Sequence, residues 1–148
     1  MKTLILMRHG QAGFAALTDG QRALTAAGEE QALQTGLTLK KAGFVPQVIL
    51  CSPLLRARQS AQLAGQAWQL SPVNAAELDG RLSAAGLLDF ARKLSAQYDS
   101  LMLVGHNPNI SLAAGILNDN YIAFRPADCA VFDITDVDNP KLLFQELS

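Results

Sequence analysis

Leu4-Ile5-Leu6-Met7-Arg8-His9-Gly10 is the stretch on which the fold turns. An unbroken apolar run of this length, rich in Leu and Ile, reads as a strand buried on both faces, over about Thr3–Met7. It stops abruptly in an arginine, a histidine and a glycine. The same design recurs down the chain. Val48-Ile49-Leu50-Cys51 ends in Ser52-Pro53, and Leu101–Val104 ends in Gly105-His106-Asn107-Pro108.

Helical signals lie between these runs. Thr25 is placed to cap a helix running to Lys41. Glu29 and Glu30 lie at its positive end, Lys40 and Lys41 at its negative end, and Gly43 provides a left-handed stop. Ala32, Leu33, Gly36 and Leu37 give it an apolar side. Ser52 before Pro53 resembles an N-cap followed by proline at the first helical position, which predicts a helix from Pro53 to about Trp68. Ser83 predicts a cap for a helix over Ala84–Gln97, and Asn107-Pro108 repeats the cap-then-proline device for a helix to about Leu117. Pro72–Asn74 is weakly extended. Cys129–Ile134 and Leu142–Leu147 read as a hairpin at a sheet edge.

Alternation of this kind predicts one α/β domain over residues 1–148. It would be a three-layer α/β/α arrangement with a mostly parallel sheet, helices on both faces and an antiparallel C-terminal edge. A chain of 148 residues is long enough to bury such a core. With 17% charged residues and a net charge of -1, it offers no global attraction to nucleic acid or an anionic membrane. The apolar run after Lys2 is too short for a signal peptide, and no segment approaches a membrane span. Cys51 and Cys129 have no paired spacing and read as buried free thiols, so a cytoplasmic location is expected.

In open α/β sheets, ligands bind beyond the carboxyl ends of the strands. Arg8 and His9 emerge there from the first strand, Ser52 and Arg56 from the second, and His106 from the fourth. His9 and His106 are the chain's only histidines. Either histidine alone would pass as a structural residue, and Arg56 alone as a solvated one; their convergence is what points to a site. Guanidinium groups and helix-end amides suit a phosphoryl group, and a neutral imidazole has the lone pair to attack phosphorus. Two histidines among arginines make a poor zinc site, and there is no Walker loop. No metal or cofactor is expected.

Four motifs in order, "LMRHGQA", "RALTAAGEEQA", "CSPLLRARQSA" and "LVGHNP", resemble those of the histidine phosphatase (phosphoglycerate mutase-like) superfamily. The short length resembles its bacterial phosphohistidine phosphatases of the SixA type. The resemblance implies that His9 is the nucleophile and that Arg8, Arg56 and His106 bind the phosphoryl group. Gly10, Gln11, Arg22 and Ser52 would lie against the substrate, Gly10 because a backbone close to phosphate leaves no room for a Cβ. Ala23 and Ser60 depart from the family's usual proline and threonine, and Gln11 from a position that is often acidic in the short members. Phosphomonoesterases of the superfamily use a carboxylic acid to protonate the leaving alkoxide. Glu77 and Asp79 fall in the appropriate region, but both also read as solvated loop residues.

The expected substrate is a phosphorylated protein carrying phosphohistidine. A small phosphorylated metabolite, a phosphomonoesterase reaction on the same scaffold, is the alternative. A mutase would need a closing lid for which the chain has little spare length. A binding module without turnover would not need both histidines.

Overall fold

The computed structural model describes residues 1–148. Six strands form one sheet: β1 (Thr3–Arg8), β2 (Val48–Cys51), β3 (Val73–Asn74), β4 (Ser100–Gly105), β5 (Cys129–Asp133) and β6 (Lys141–Glu146). Their order is β3-β2-β4-β1-β5-β6. The first four strands run parallel, β5 pairs antiparallel with β1, and β6 pairs antiparallel with β5. The antiparallel C-terminal edge expected from the sequence is therefore present, with a register shift between Val131 and Phe132.

Four helices cover the sheet: α1 (Ala26–Lys41), α2 (Leu55–Gly65), α3 (Ala84–Leu94) and α4 (Asn109–Asn118). Residues alternate along each strand, so each face has its own core. Leu4 and Leu6 of β1 and Leu101 and Leu103 of β4 pack with Leu87 and Leu88 of α3 and Ile110 of α4. Ile5, Met7, Met102 and Val104 face the other way, against Ala32 and Leu39 of α1 and Ala61 and Ala64 of α2. The central strands are thus buried on both sides, which is why they read as continuous apolar runs. No helix is long and apolar enough to cross a membrane, and Cys51 and Cys129 are buried free thiols.

The Thr25 cap forms as expected, its hydroxyl accepting from the Gly28 amide at 3.0 Å. Gly43 takes a φ of +93° just past the end of α1. Ser83 likewise caps α3 through the Gly86 amide, at 3.1 Å. That helix ends earlier than expected, at Leu94, where a tighter turn brings the Gln97 amide to the Leu94 carbonyl.

Two helix starts differ from the sequence reading for a shared reason. Ser52 does not cap α2. Its hydroxyl accepts from the Leu54 amide at 3.2 Å and is also taken up by His106, so the helix begins only at Leu55. That helix closes at Gly65 and gives way to a 3-10 turn over Gln66–Trp68. α4 begins at Asn109 rather than directly after Asn107, whose side-chain oxygen reaches on to the Ser111 hydroxyl at 2.8 Å. Ser52 is thus drawn into a tertiary contact with His106, and Asn107 into one through its side-chain nitrogen, which donates to the Phe124 carbonyl at 2.9 Å.

Candidate active site

β1 and β4 are neighbours, and their register pairs Arg8 with Gly105. One step further, the next residues of the two strands are the two histidines. The His9 amide donates to the Gly105 carbonyl at 3.1 Å, and the rings meet edge to face with centroids 5.1 Å apart. Both side chains are buried. The convergence inferred from strand ends is thus a direct product of parallel pairing.

The His9 ring has its Nδ1 2.7 Å from the Gly10 carbonyl oxygen. A carbonyl can only accept, so Nδ1 carries the proton. Burial above all pushes the His9 pKa down, to about 4, reinforced by the positive charges of Arg56 and Arg8 and by His106 and opposed by the Gly10 hydrogen bond. A neutral ring protonated at Nδ1 has its lone pair at Nε2, the form able to act as a nucleophile. His106 is also held down to about 4, by burial first and then by Arg56, with Asp19 and Asp79 pulling the other way. Its Nε2 lies 2.7 Å from the hydroxyl of Ser52.

The arginines enter from two sides. Arg8 donates through Nη1 to the Phe124 carbonyl at 3.0 Å, and its Nε is buried without a partner. The same is true of His106 Nδ1. Buried polar atoms without partners are rare in folded chains and ask for an explanation such as a ligand or an ordered water. Arg56, in the first turn of α2, is buried and donates through Nη1 to the Asp19 carbonyl at 2.8 Å. Its Nη2 forms an ion pair with the Asp19 carboxylate at 3.1 Å. Arg22 meets the same carboxylate at 3.2 Å, donates to the Gly13 carbonyl, and stacks over the Phe14 ring at 4.1 Å.

Asp19 is the residue that sequence reasoning missed. It lies in a 3-10 turn over Asp19–Gln21, within a stretch of small and polar residues. Only its position three residues before Arg22, at ion-pairing distance, gave a hint. Hydrogen bonds from Arg22 and then Arg56 hold its carboxyl below the ordinary range, so it is an anion.

The reason for glycine at position 10 differs from the one expected. A Cβ there would come 2.6 Å from the Gly28 carbonyl oxygen, and a Cβ on Gly28 would come 2.0 Å from the Gln11 carbonyl. The glycine pair lets the loop after β1 press against the first turn of α1. The Gly10 amide is also committed: it donates to the Ser60 hydroxyl at 2.9 Å, and that hydroxyl donates to the Arg56 carbonyl at 2.7 Å. Ser60 therefore ties the His9 loop to the turn that carries Arg56. Gln11 is exposed, and its side-chain oxygen accepts from the Thr25 hydroxyl at 3.2 Å, which draws it toward the start of α1.

The two acid candidates separate. Asp79 is bound to Arg81 through several hydrogen bonds, with an ion-pair distance of 2.7 Å, and the guanidinium holds its carboxyl below the usual range. It is an anion and a poor proton donor. Glu77 is exposed in the 3-10 turn Ala76–Leu78 and lines a narrow crevice together with Gly105, His106 and Asn109.

Residues 4–82 match the family model of the histidine phosphatase superfamily, branch 1. The chain belongs to this superfamily. The match spans His9, Ser52 and Arg56; His106 lies beyond it and joins the site through strand pairing. As a histidine phosphatase superfamily member the protein is a phosphatase. It is 37% identical over 112 residues to an uncharacterised protein of Picosynechococcus sp., covering 72% of this chain and 67% of that one. It is 28% identical to the phosphohistidine phosphatase SixA homolog of Haemophilus influenzae, over 98% of this chain and 95% of the relative. A solved structure of the protein histidine phosphatase SixA complexed with tungstate superposes with a TM-score of 0.88. That superposition covers 98% of this chain and 96% of the other at 22% identity, a likeness of fold.

Proposed function

We propose that this phosphatase removes the phosphoryl group from phosphohistidine on a protein, through a phosphorylated His9. The observation that carries the reading is the His9 ring, neutral, protonated at Nδ1 by its bond to Gly10, and set 5.1 Å from His106 beside two guanidinium groups. In the first step the His9 Nε2 lone pair forms a bond to phosphorus as the bond to the substrate nitrogen breaks. That electron pair leaves with the substrate imidazole. In the second, water attacks phosphorus, the electron pair returns to Nε2, and inorganic phosphate departs. Arg8 and Arg56 neutralise the charge on the equatorial oxygens in both steps. The unpartnered Arg8 Nε and His106 Nδ1 are polar atoms that a bound oxyanion or its water would satisfy. Ser52 holds His106 in place.

Phosphohistidine is favoured over an alkyl phosphate because of the leaving group. An alkoxide must be protonated as it departs, and with Asp79 held as an anion by Arg81 that task falls to the exposed Glu77 alone. An imidazole protonated at its far nitrogen leaves as a neutral molecule and needs no acid. The relative from Haemophilus influenzae supports the same substrate. Buried free thiols suit a reducing compartment, and the cytoplasm is the proposed location.

The test compares wild type and His9→Ala on a phosphohistidine peptide, a phosphoserine peptide and sugar phosphates at equal concentration. Wild type should act fastest on phosphohistidine and carry an acid-labile phosphoryl group on His9. The variant should have neither activity nor label. A higher rate on sugar phosphates would favour a small-molecule phosphomonoesterase, and an active His9→Ala would rule out the nucleophile.

A further inference from the structure

Resting on the phosphohistidine reading, we infer that Asp19 sets the preference for the leaving group, its carboxylate receiving the positive charge of a protonated substrate imidazole. Three observations converge on it. The carboxylate lies on the arginine cluster of the site, within ion-pairing distance of both Arg56 and Arg22. Its side chain is 66% exposed, and its charge acts on the His106 ring, so it stands on the solvent side of the site. Arg56, by contrast, is buried behind it.

The geometry allows Asp19 to stay in place during the reaction. A guanidinium has five N–H donors. Asp19 takes one from each terminal nitrogen of Arg56, which leaves three, including Nε–H, for a phosphoryl group. The anion on the solvent side and the oxyanion in the pocket thus share one arginine from different edges.

A fixed negative charge at that point acts differently on different substrates. The phosphoimidazolium form of phosphohistidine has a positive ring beside the scissile bond. As the His9 Nε2–phosphorus bond forms, the phosphorus–nitrogen pair collapses onto the ring, its far N–H is retained, and neutral imidazole leaves. A carboxylate near that ring stabilises the cationic reactant form and so raises the fraction of substrate ready to react. A phosphomonoester with a neutral or anionic leaving group gains nothing from it, and an anionic one is repelled.

The experiment uses two small substrates, phosphoimidazole and p-nitrophenyl phosphate, with wild type, Asp19→Asn and Asp19→Glu. Asp19→Asn keeps an oxygen to accept from the arginines and removes the charge. Its effect on the placement of Arg56 reaches both substrates alike, so the readout is the ratio of their kcat/KM values. For Asp19→Asn the ratio, phosphoimidazole over p-nitrophenyl phosphate, should fall about tenfold, the scale of one partly screened charge contact. Asp19→Glu should keep a ratio near that of wild type. A ratio unchanged or raised in Asp19→Asn, or equal losses in both variants, would overturn the inference. The phosphohistidine reading fails separately, if wild type itself prefers phosphomonoesters whatever the Asp19 variants do.

Discussion

Lowering the pH from 7.5 to 5 tests the burial of the two histidines more sharply than any substitution. Both rings are held to about 4 from an ordinary 6.5, chiefly by desolvation of the charged form. At pH 5 an ordinary imidazole is about 97% protonated and a ring titrating near 4 only about 10%, so the neutral fraction of His9 is roughly 30-fold larger than in an exposed histidine. Because His9 and His106 are the only histidines, a carbon–nitrogen correlation NMR titration of the ring signals contains two curves. Both midpoints should lie near 4. The stability consequence has a definite sign. Between pH 6.5 and 4 the unfolded chain binds more protons than the native state, so stability is fully present above 6.5 and declines as pH falls through this window. By pH 5 the loss is about 2 kcal/mol per ring, less for the pair than twice that value because the rings interact. Urea unfolding at the two pH values, with His106→Gln as a reference, measures it. Ring midpoints at 6 or above, or a urea midpoint that does not move between pH 7.5 and 5, would refute the claim that both rings are buried neutral.

Ser60→Ala cuts the bridge from the Gly10 amide to the Arg56 carbonyl; it should cost about 1–3 kcal/mol in a denaturant melt, since the Gly10 amide is left buried without an acceptor, and should lower kcat/KM. Gly28→Ala places a methyl 2.0 Å from the Gln11 carbonyl oxygen. It should destabilise by about 1–3 kcal/mol or more, read from thermal unfolding, with activity falling as the loop after β1 is displaced. Glu77→Gln should slow hydrolysis of alkyl phosphates while sparing a phosphohistidine peptide, and Asp79→Asn should leave the ratio of the two rates unaltered; steady-state assays on the substrate pair decide both.

Periodicity and end signals carried most of the fold into the sequence. Buried runs such as Leu4–Met7 and Leu101–Val104 are apolar on both faces and bounded by polar residues, so strand identity follows from local pattern and a mostly parallel sheet from the alternation with helices, whereas the order of the strands does not. Thr25 and Ser83 act within their own helices and were legible for the same reason. Ser52 and Asn107 were misread because their side chains have two competing uses. Local spacing favours a cap, whereas His106 claims the Ser52 oxygen across the fold, and Asn107 is turned by its side-chain nitrogen, which donates to the Phe124 carbonyl. The site was legible as far as it lies at strand ends. Asp19 and Ser60 were invisible as parts of it, because neither follows a strand. Each reaches Arg56 from a position that no spacing rule connects to His9. Gly10 was picked out by the right residue type and the wrong neighbour, since the atom that excludes a Cβ belongs to Gly28.

The adjacency of β1 and β4 gives the two imidazoles a ruler that side-chain packing does not supply. Hydrogen-bonded strands lie about 4.8 Å apart in every sheet, and the ring centroids stand 5.1 Å apart. Strand pairing thus sets how far apart the two backbones stand, and the contacts of His9 with the Gly10 carbonyl and of His106 with the Ser52 hydroxyl set where the rings lie between them. Core changes at Leu6 or Met102, both fully buried, touch neither the strand pairing nor those two contacts, so they should make the protein easier to melt and leave the rings paired. Variation can then accumulate in both cores, limited by stability alone, while the reactive pair stays together.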